Sequence, residues 1–163
     1  EFNSLSKTYG LAGARIGFCI GNRELVEKLT ALKSNTDYGM FLPIQKAAIA
    51  AITGDQSCVK QTREAYQCRR DCFCEGMNAI GWKMEKCPAT MFVWAPVPAT
   101  YQSSMEFVRN LLDRAGVVVT PGSAFGPSGE GYVRVALVQE EEQIRRAVER
   151  VRDSKVLEGP AER

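Results

Sequence analysis

The 163-residue sequence has no histidine, and its six cysteines include no Cys-x-x-Cys pair. The commonest ligands of structural and catalytic zinc are therefore missing or wrongly spaced, and no metal is expected. Cys68 and Cys72 would share a helix face, but with nothing to complete a ligand set the cysteines read as free thiols in a reducing cell. No apolar run approaches the roughly 20 residues that cross a bilayer, and Glu1-Phe2-Asn3 lacks the basic, apolar and small-residue order of a signal peptide. Both absences predict a cytoplasmic protein without a membrane partner. Neither charge dominates: 21 Lys and Arg face 19 Asp and Glu, for a net +2. No basic stripe marks a nucleic-acid partner. Two phosphate-binding signatures are also missing. Lys7 follows Asn3-Ser4-Leu5-Ser6 rather than Gly-x-x-x-x-Gly, and Gly126, Gly129 and Gly131 read Gly-x-x-Gly-x-Gly with Pro127 among them, which suits turns rather than dinucleotide binding.

What is present is enough apolar content, 45%, for one ordinary domain with a real core. The most informative stretch is Glu1 to Gly17, which sets Ser4, Ser6, Lys7 and Arg15 around glycine-rich turns. Its alternation of apolar and polar segments reads as strand, loop, strand, with the lysine in the loop. Lysine attacks a carbonyl only when deprotonated, a state favoured by burial or by positive neighbours. Arginine meets phosphate with a planar fork and serine with single hydrogen bonds. Any one lysine is usually a solvated surface residue; the spacing from Lys7 to Arg15 and Gly17 argues against that here.

Asn22 predicts an N-cap for a helix with Leu25, Leu29 and Leu32 on one face. Ile44–Ile52, ended by Gly54, predicts a helix of small residues suited to close packing. Asp55 to about Ile80 predicts one long helix. Trp82–Lys86, Met91–Pro96, Val117–Val119 and Tyr132–Leu137 read as β runs, and Ser103 or Ser104 caps a helix running through Arg114. The last helix starts at Gln139–Glu142, with acids at its positive end and Ile144, Ala147, Val148 and Val151 on one face. Beyond Lys155 the chain is expected to fray.

A second constellation follows in Thr120-Pro121-Gly122-Ser123-Ala124-Phe125-Gly126 and Gly131-Tyr132-Val133-Arg134. Arg134 stands amid Val133, Val135, Ala136 and Leu137, a setting that the exposed face of a half-buried strand would also explain.

Ser-x-Ser-Lys with Arg eight residues on, then Pro-Gly-x-x-Phe-Gly and Tyr-x-Arg, resembles the class I/II pyridoxal-phosphate aminotransferases of fold type I. The likeness runs from Glu1 to about Asp153. Within that family the wording Glu-Phe-Asn-Ser-Leu-Ser-Lys-Thr-Tyr is similar to the LL-diaminopimelate aminotransferase-like group of lysine biosynthesis. The resemblance implies an α/β fold, α+β in its C-terminal part, with residues 1–54 ending the large cofactor-binding domain. Residues 55–80 would be a connecting helix, 81–155 a small domain with a mixed sheet covered by helices, and 156–163 a disordered tail.

By the same resemblance, Lys7 would form a Schiff base with the aldehyde of pyridoxal 5′-phosphate, Ser4, Ser6 and Arg15 would bind the cofactor phosphate, and Arg134 would clamp the substrate α-carboxylate. Tyr38 would be a weaker substrate contact. The expected reaction moves an amino group between an amino acid and a 2-keto acid, in a homodimeric parent. The residues that tune the cofactor ring would precede Lys7 in family order, so the isolated fragment is expected to be inactive. Other readings are a lyase, racemase or synthase with the same lysine and arginine, a ligand-sensing domain of a transcription regulator, and a stand-alone small-domain module.

Overall fold

Ser4 decides how the chain enters its first turn. In the computed structural model, which describes residues 1–160, β1 (Phe2–Ser4) pairs antiparallel with β2 (Gly17–Cys19), placing Ser4 opposite Gly17. The lysine segment between them was expected to be a loop. It is instead a one-turn helix, α1 (Leu5–Thr8), because extended Ser4 turns its Oγ to accept the Ser6 N–H at 3.2 Å. The turn stops where the Leu5 carbonyl accepts from both the Tyr9 and Leu11 N–H groups. A 3-10 turn at Ala12–Ala14 then leads back to β2.

The chain divides into two compact units, Glu1–Arg63 and the part from Glu64 onward. In the first, α2 (Arg23–Thr36) has the expected cap, with Asn22 Oδ1 accepting the Leu25 N–H at 3.2 Å. Helix α3 (Leu42–Thr53) ends at Gly54. The predicted apolar face of α2 is present but uncovered within this chain, with Leu25 and Leu32 at 67% and 66% exposure. Of this unit's hydrophobic side chains only Leu5 and Ala48 are buried.

The second unit holds the core. The long helix α4 (Ser57–Ala79) starts in the first unit and buries Phe73, Cys74 and Met77 in the second. It is followed by β3 (Phe92–Pro96), α5 (Ser104–Ala115), β4 (Thr120–Pro121), β5 (Tyr132–Ala136) and α6 (Glu141–Ser154). Ser103, not Ser104, caps α5, its Oγ accepting the Glu106 N–H. The strand order is β3-β5-β4 and both pairs are antiparallel, where a mixed sheet was expected. Strands β3 and β4, joined through α5, do run the same way, but β5 lies between them, so no parallel ladder forms.

Two expected β runs are not strands, because helices claim their backbone groups. Asn78 at the end of α4 bonds both the N–H and the C=O of Met84, through Oδ1 at 2.9 Å and Nδ2 at 3.0 Å. Trp82 and Met84 therefore alternate inward without a strand partner. The Val117 N–H donates to Leu111 O at the end of α5.

Around fully buried Phe107, Trp82 and Tyr101 pack with ring centroids at 5.2 and 5.0 Å, and the Trp82 indole N–H donates to Pro96 O at 2.8 Å. The expectation of fraying beyond Lys155 is corrected for the described part of the tail. Val156–Glu158 forms a 3-10 turn with Val156 fully buried. The Tyr101 hydroxyl donates to Val156 O at 2.6 Å, and Arg114 donates to Ser154 O and Gly159 O. Residues 161–163, the rest of the expected disordered tail, lie outside the described residues.

Tyr101→Phe removes that hydroxyl and leaves a buried carbonyl without its donor. We expect a loss of about 1–3 kcal/mol, read from urea unfolding, together with faster amide exchange over 156–159.

Candidate functional site

The hairpin β1–α1–β2 brings four of the expected site residues to one end. The ladder continues past Ser4–Gly17 with the Leu5 N–H donating to Ile16 O at 3.3 Å, which sets Arg15 beside the lysine turn. Leu5 points inward at 1% exposure and anchors the turn, while Lys7 faces solvent. Gly17 is required here, since a Cβ would lie 2.5 Å from Asn3 O. Tyr9 donates from its hydroxyl to Gln56 Oε1 at 2.8 Å, and the Gln56 amide caps the carbonyls of Ala51, Ile52 and Gly54. The turn is thereby tied to the end of α3.

The donor set suits a dianion. Ser4 Oγ donates to Ser6 Oγ at 3.0 Å, which leaves the Ser6 hydroxyl hydrogen free to donate outward. Arg15, held at φ 52°, donates from Nη1 to Ala12 O. Among the described residues, no carboxylate pairs with Lys7 or with Arg15. Two cations and the free Ser6 hydroxyl, with no carboxylate among the described residues paired to either cation, fit a phosphate. Tyr38 is fully exposed and lines a groove with Gly17, Cys19 and Leu29, on residues other than the lysine turn itself.

Arg134 lies in the second unit, on the outer face of β5. Val133 and Val135 turn inward, leaving Tyr132, Arg134 and Ala136 outside, and on β3 Phe92 and Trp94 share that outer face. The guanidinium carbon stands 4.5 Å from the Phe92 ring centroid and 4.4 Å from that of Phe125. Among the described residues its Nε is buried with no hydrogen-bond partner, and no carboxylate pairs with the group. The sequence reading did not identify Phe92, Trp94 or Tyr132 as parts of this site. The signal was there in the aromatic residues at alternate outward positions, Phe92 and Trp94, with Tyr132 two before Arg134.

The loop that brings Phe125 to Arg134 is fixed by Glu130. Its Oε1 accepts the N–H groups of Ser104 and Gly131 at 2.6 and 3.0 Å, and its Oε2 accepts from the hydroxyl of fully buried Ser104 at 3.0 Å. The backbone donors of Gly131 and then Ser104 hold the Glu130 carboxyl below its ordinary value of 4.5.

The sequence matches the profile of the family Aminotransferase class I and II over residues 1–151. The chain belongs to that family. It is 47% identical to an LL-diaminopimelate aminotransferase of Moorella thermoacetica over 93% of its own length and 39% of that relative's. It is also 47% identical to the glutamate-pyruvate aminotransferase AlaC of Escherichia coli, over 91% of the chain and 36% of AlaC. Among solved structures, substrate-bound BacF from Bacillus subtilis is 38% identical with a TM-score of 0.86, covering 94% of this chain and 39% of BacF. An aminotransferase from Staphylococcus aureus is 29% identical with a TM-score of 0.88, over 96% of this chain and 42% of that one. The chain thus spans about two fifths of the length of these relatives. Family membership, the fold type I architecture and the likeness to LL-diaminopimelate aminotransferases agree with the sequence reading, and pyridoxal phosphate is the family's cofactor.

Because Glu130 is held below its ordinary value, its contribution to stability is full above that value and is lost as pH falls through the lowered one. We expect Glu130→Ala to lower the melting temperature at pH 7. The gap to the unsubstituted protein should then narrow as pH falls below 4.5.

Proposed function

We propose that these residues form the C-terminal part of a cytoplasmic, homodimeric amino-acid aminotransferase. In this reading Lys7 holds pyridoxal phosphate covalently, Ser4, Ser6 and Arg15 hold its phosphate, and Arg134 holds the substrate α-carboxylate. The observation behind it is that, among the described residues, Lys7, Arg15 and Arg134 are cations with no paired carboxylate, the first two in a capped, glycine-flanked turn and the third in a strand paired on both sides. Unpaired cations in preorganised settings are what anionic cofactor and substrate groups bind.

When bound, pyridoxal phosphate supplies an aldehyde carbon open to amines and a ring that accepts the electron pair of a broken Cα–H bond. Lys7 Nζ then has two tasks in sequence. It would tether the cofactor at rest, and as a free amine it would take up the Cα proton of a bound substrate and give it back later in the turnover. Arg134 would set how the substrate is oriented, because two parallel hydrogen bonds from one guanidinium fix a carboxylate in both position and rotation. Ser4, Ser6 and Arg15 keep the phosphate end stationary while the lysine moves.

The substrates are accordingly an α-amino acid and a 2-keto acid. The relatives' names make LL-diaminopimelate the first donor to test, with glutamate and pyruvate as the next pair. The 163-residue chain alone should give no transfer, because it spans about two fifths of its relatives and by family order the residues that tune the cofactor ring precede Lys7.

Two variants of the full-length protein test the reading. Lys7→Ala should abolish amino transfer while still taking up pyridoxal phosphate, with the protein-bound chromophore shifted to that of the free aldehyde; ordinary turnover in that variant would remove the assignment. Arg134→Lys keeps the charge but loses the planar fork, so kcat/KM for the amino donor should drop by about 100-fold, as for loss of one preorganised transition-state contact.

A further inference from the structure

Arg134 is enclosed in an unusual way. Its guanidinium lies over two phenyl rings, Phe92 and Phe125, that come from a strand and from a loop. Each ring is itself held. The Cys87 thiol donates to the Phe92 carbonyl at 3.0 Å, fixing the start of β3. Phe125 meets the edge of Trp94 at 5.7 Å and 67°, and Trp94 stacks on Tyr132 at 5.7 Å and 19°. The loop bearing Phe125 is anchored by Glu130 on Ser104 and by Ser104 on Ser123.

An arginine that served only to cover the sheet would turn its nitrogens to water or to backbone carbonyls. Here Nε is walled in without a partner, so the hydrogen-bonding edge left to a ligand is the terminal pair of nitrogens. Aromatic faces attract a guanidinium electrostatically and restrict its rotation without consuming its N–H groups.

We propose that Phe92 and Phe125 are positioning residues for substrate binding. They grip the Arg134 guanidinium so that it presents its two terminal nitrogens, end-on, to the α-carboxylate before substrate arrives. This rests on the assignment of Arg134 to the carboxylate. The rings touch the arginine, not the reacting atoms, so they act on carboxylate recognition and leave the proton transfer at Cα alone.

The test is steady-state kinetics of the full-length enzyme with LL-diaminopimelate or glutamate as donor. Phe92→Leu and Phe125→Leu are each made alone and in an Arg134→Ala background, with Phe125→Tyr as the conservative variant. Each leucine variant should raise the donor KM by about 3- to 30-fold, the range of one cation–π contact, with kcat little changed. Phe125→Tyr should restore the original KM, and neither leucine change should add to the defect of Arg134→Ala. Unchanged KM in both leucine variants, beside a raised KM in Arg134→Ala, overturns the positioning role and leaves the assignment of Arg134 standing. The role is equally overturned if the leucine changes raise KM just as much when Arg134 is absent. If Arg134→Ala itself leaves KM unaltered, the assignment of Arg134 fails and this inference falls with it.

Discussion

At Gly122 and Gly129 two backbone segments approach so closely that a Cβ on Gly122 would lie 1.9 Å from Gly129 O, and one on Gly129 would lie 2.1 Å from Gly122 O. No rotamer change relieves a clash with backbone, so both positions need glycine. The Arg134 end of the second unit depends on this contact. It closes the loop between β4 and β5, and the closed loop sets Phe125 over Arg134 and Glu130 against the start of α5. Aromatic residues alone would supply apolar surface; the loop closure converts them into a fixed seat for one cation.

The lysine turn solves the same problem by similar means. Gly17 admits the Asn3 carbonyl at a distance no side chain would allow, Ser4 caps the turn, and Leu5 pins it from beneath. In both places charged groups are displayed by backbone hydrogen bonds and glycine contacts, with no ion pairs among the described residues holding them. That choice has a chemical reason. A carboxylate partner would hold Arg15 or Arg134 in place but would also compete with any anionic ligand for the guanidinium.

Elements governed by local rules were legible in the sequence. The Asn22 cap, a serine cap at 103 or 104, the long helix through the cysteines and the acid-led last helix follow from neighbours a few residues apart. The residues proposed to carry the chemistry were singled out by type and by resemblance. What was not legible depends on distant partners. Trp82–Lys86 alternates like a strand, yet the Asn78 side chain takes the backbone groups a neighbouring strand would have needed. The tail reads as polar and terminal, yet Tyr101 and Arg114 reach it from 40 or more residues away. The setting of Arg134 is of the same kind, since its two rings come from separate segments and only the fold brings them together.

The two units differ in what stabilises them, and this bears on the lysine end most. The second unit is built on a continuous core around Phe107, with Trp82, Val93, Val133 and Leu137 all nearly or fully buried. The first buries only Leu5 and Ala48 among its hydrophobic side chains, while Phe2, Phe41 and Leu42 are 58% or more exposed. Exposed apolar area on that scale contributes nothing to stability until something covers it. The lysine turn therefore takes its local shape from hydrogen bonds, at roughly 1 kcal/mol each, whereas the seat of Arg134 is bolted to a core. A rigid seat for the Arg134 guanidinium is supplied by these residues on their own. Precise placement of Lys7 requires that the apolar faces of α2 and α3 be covered as well.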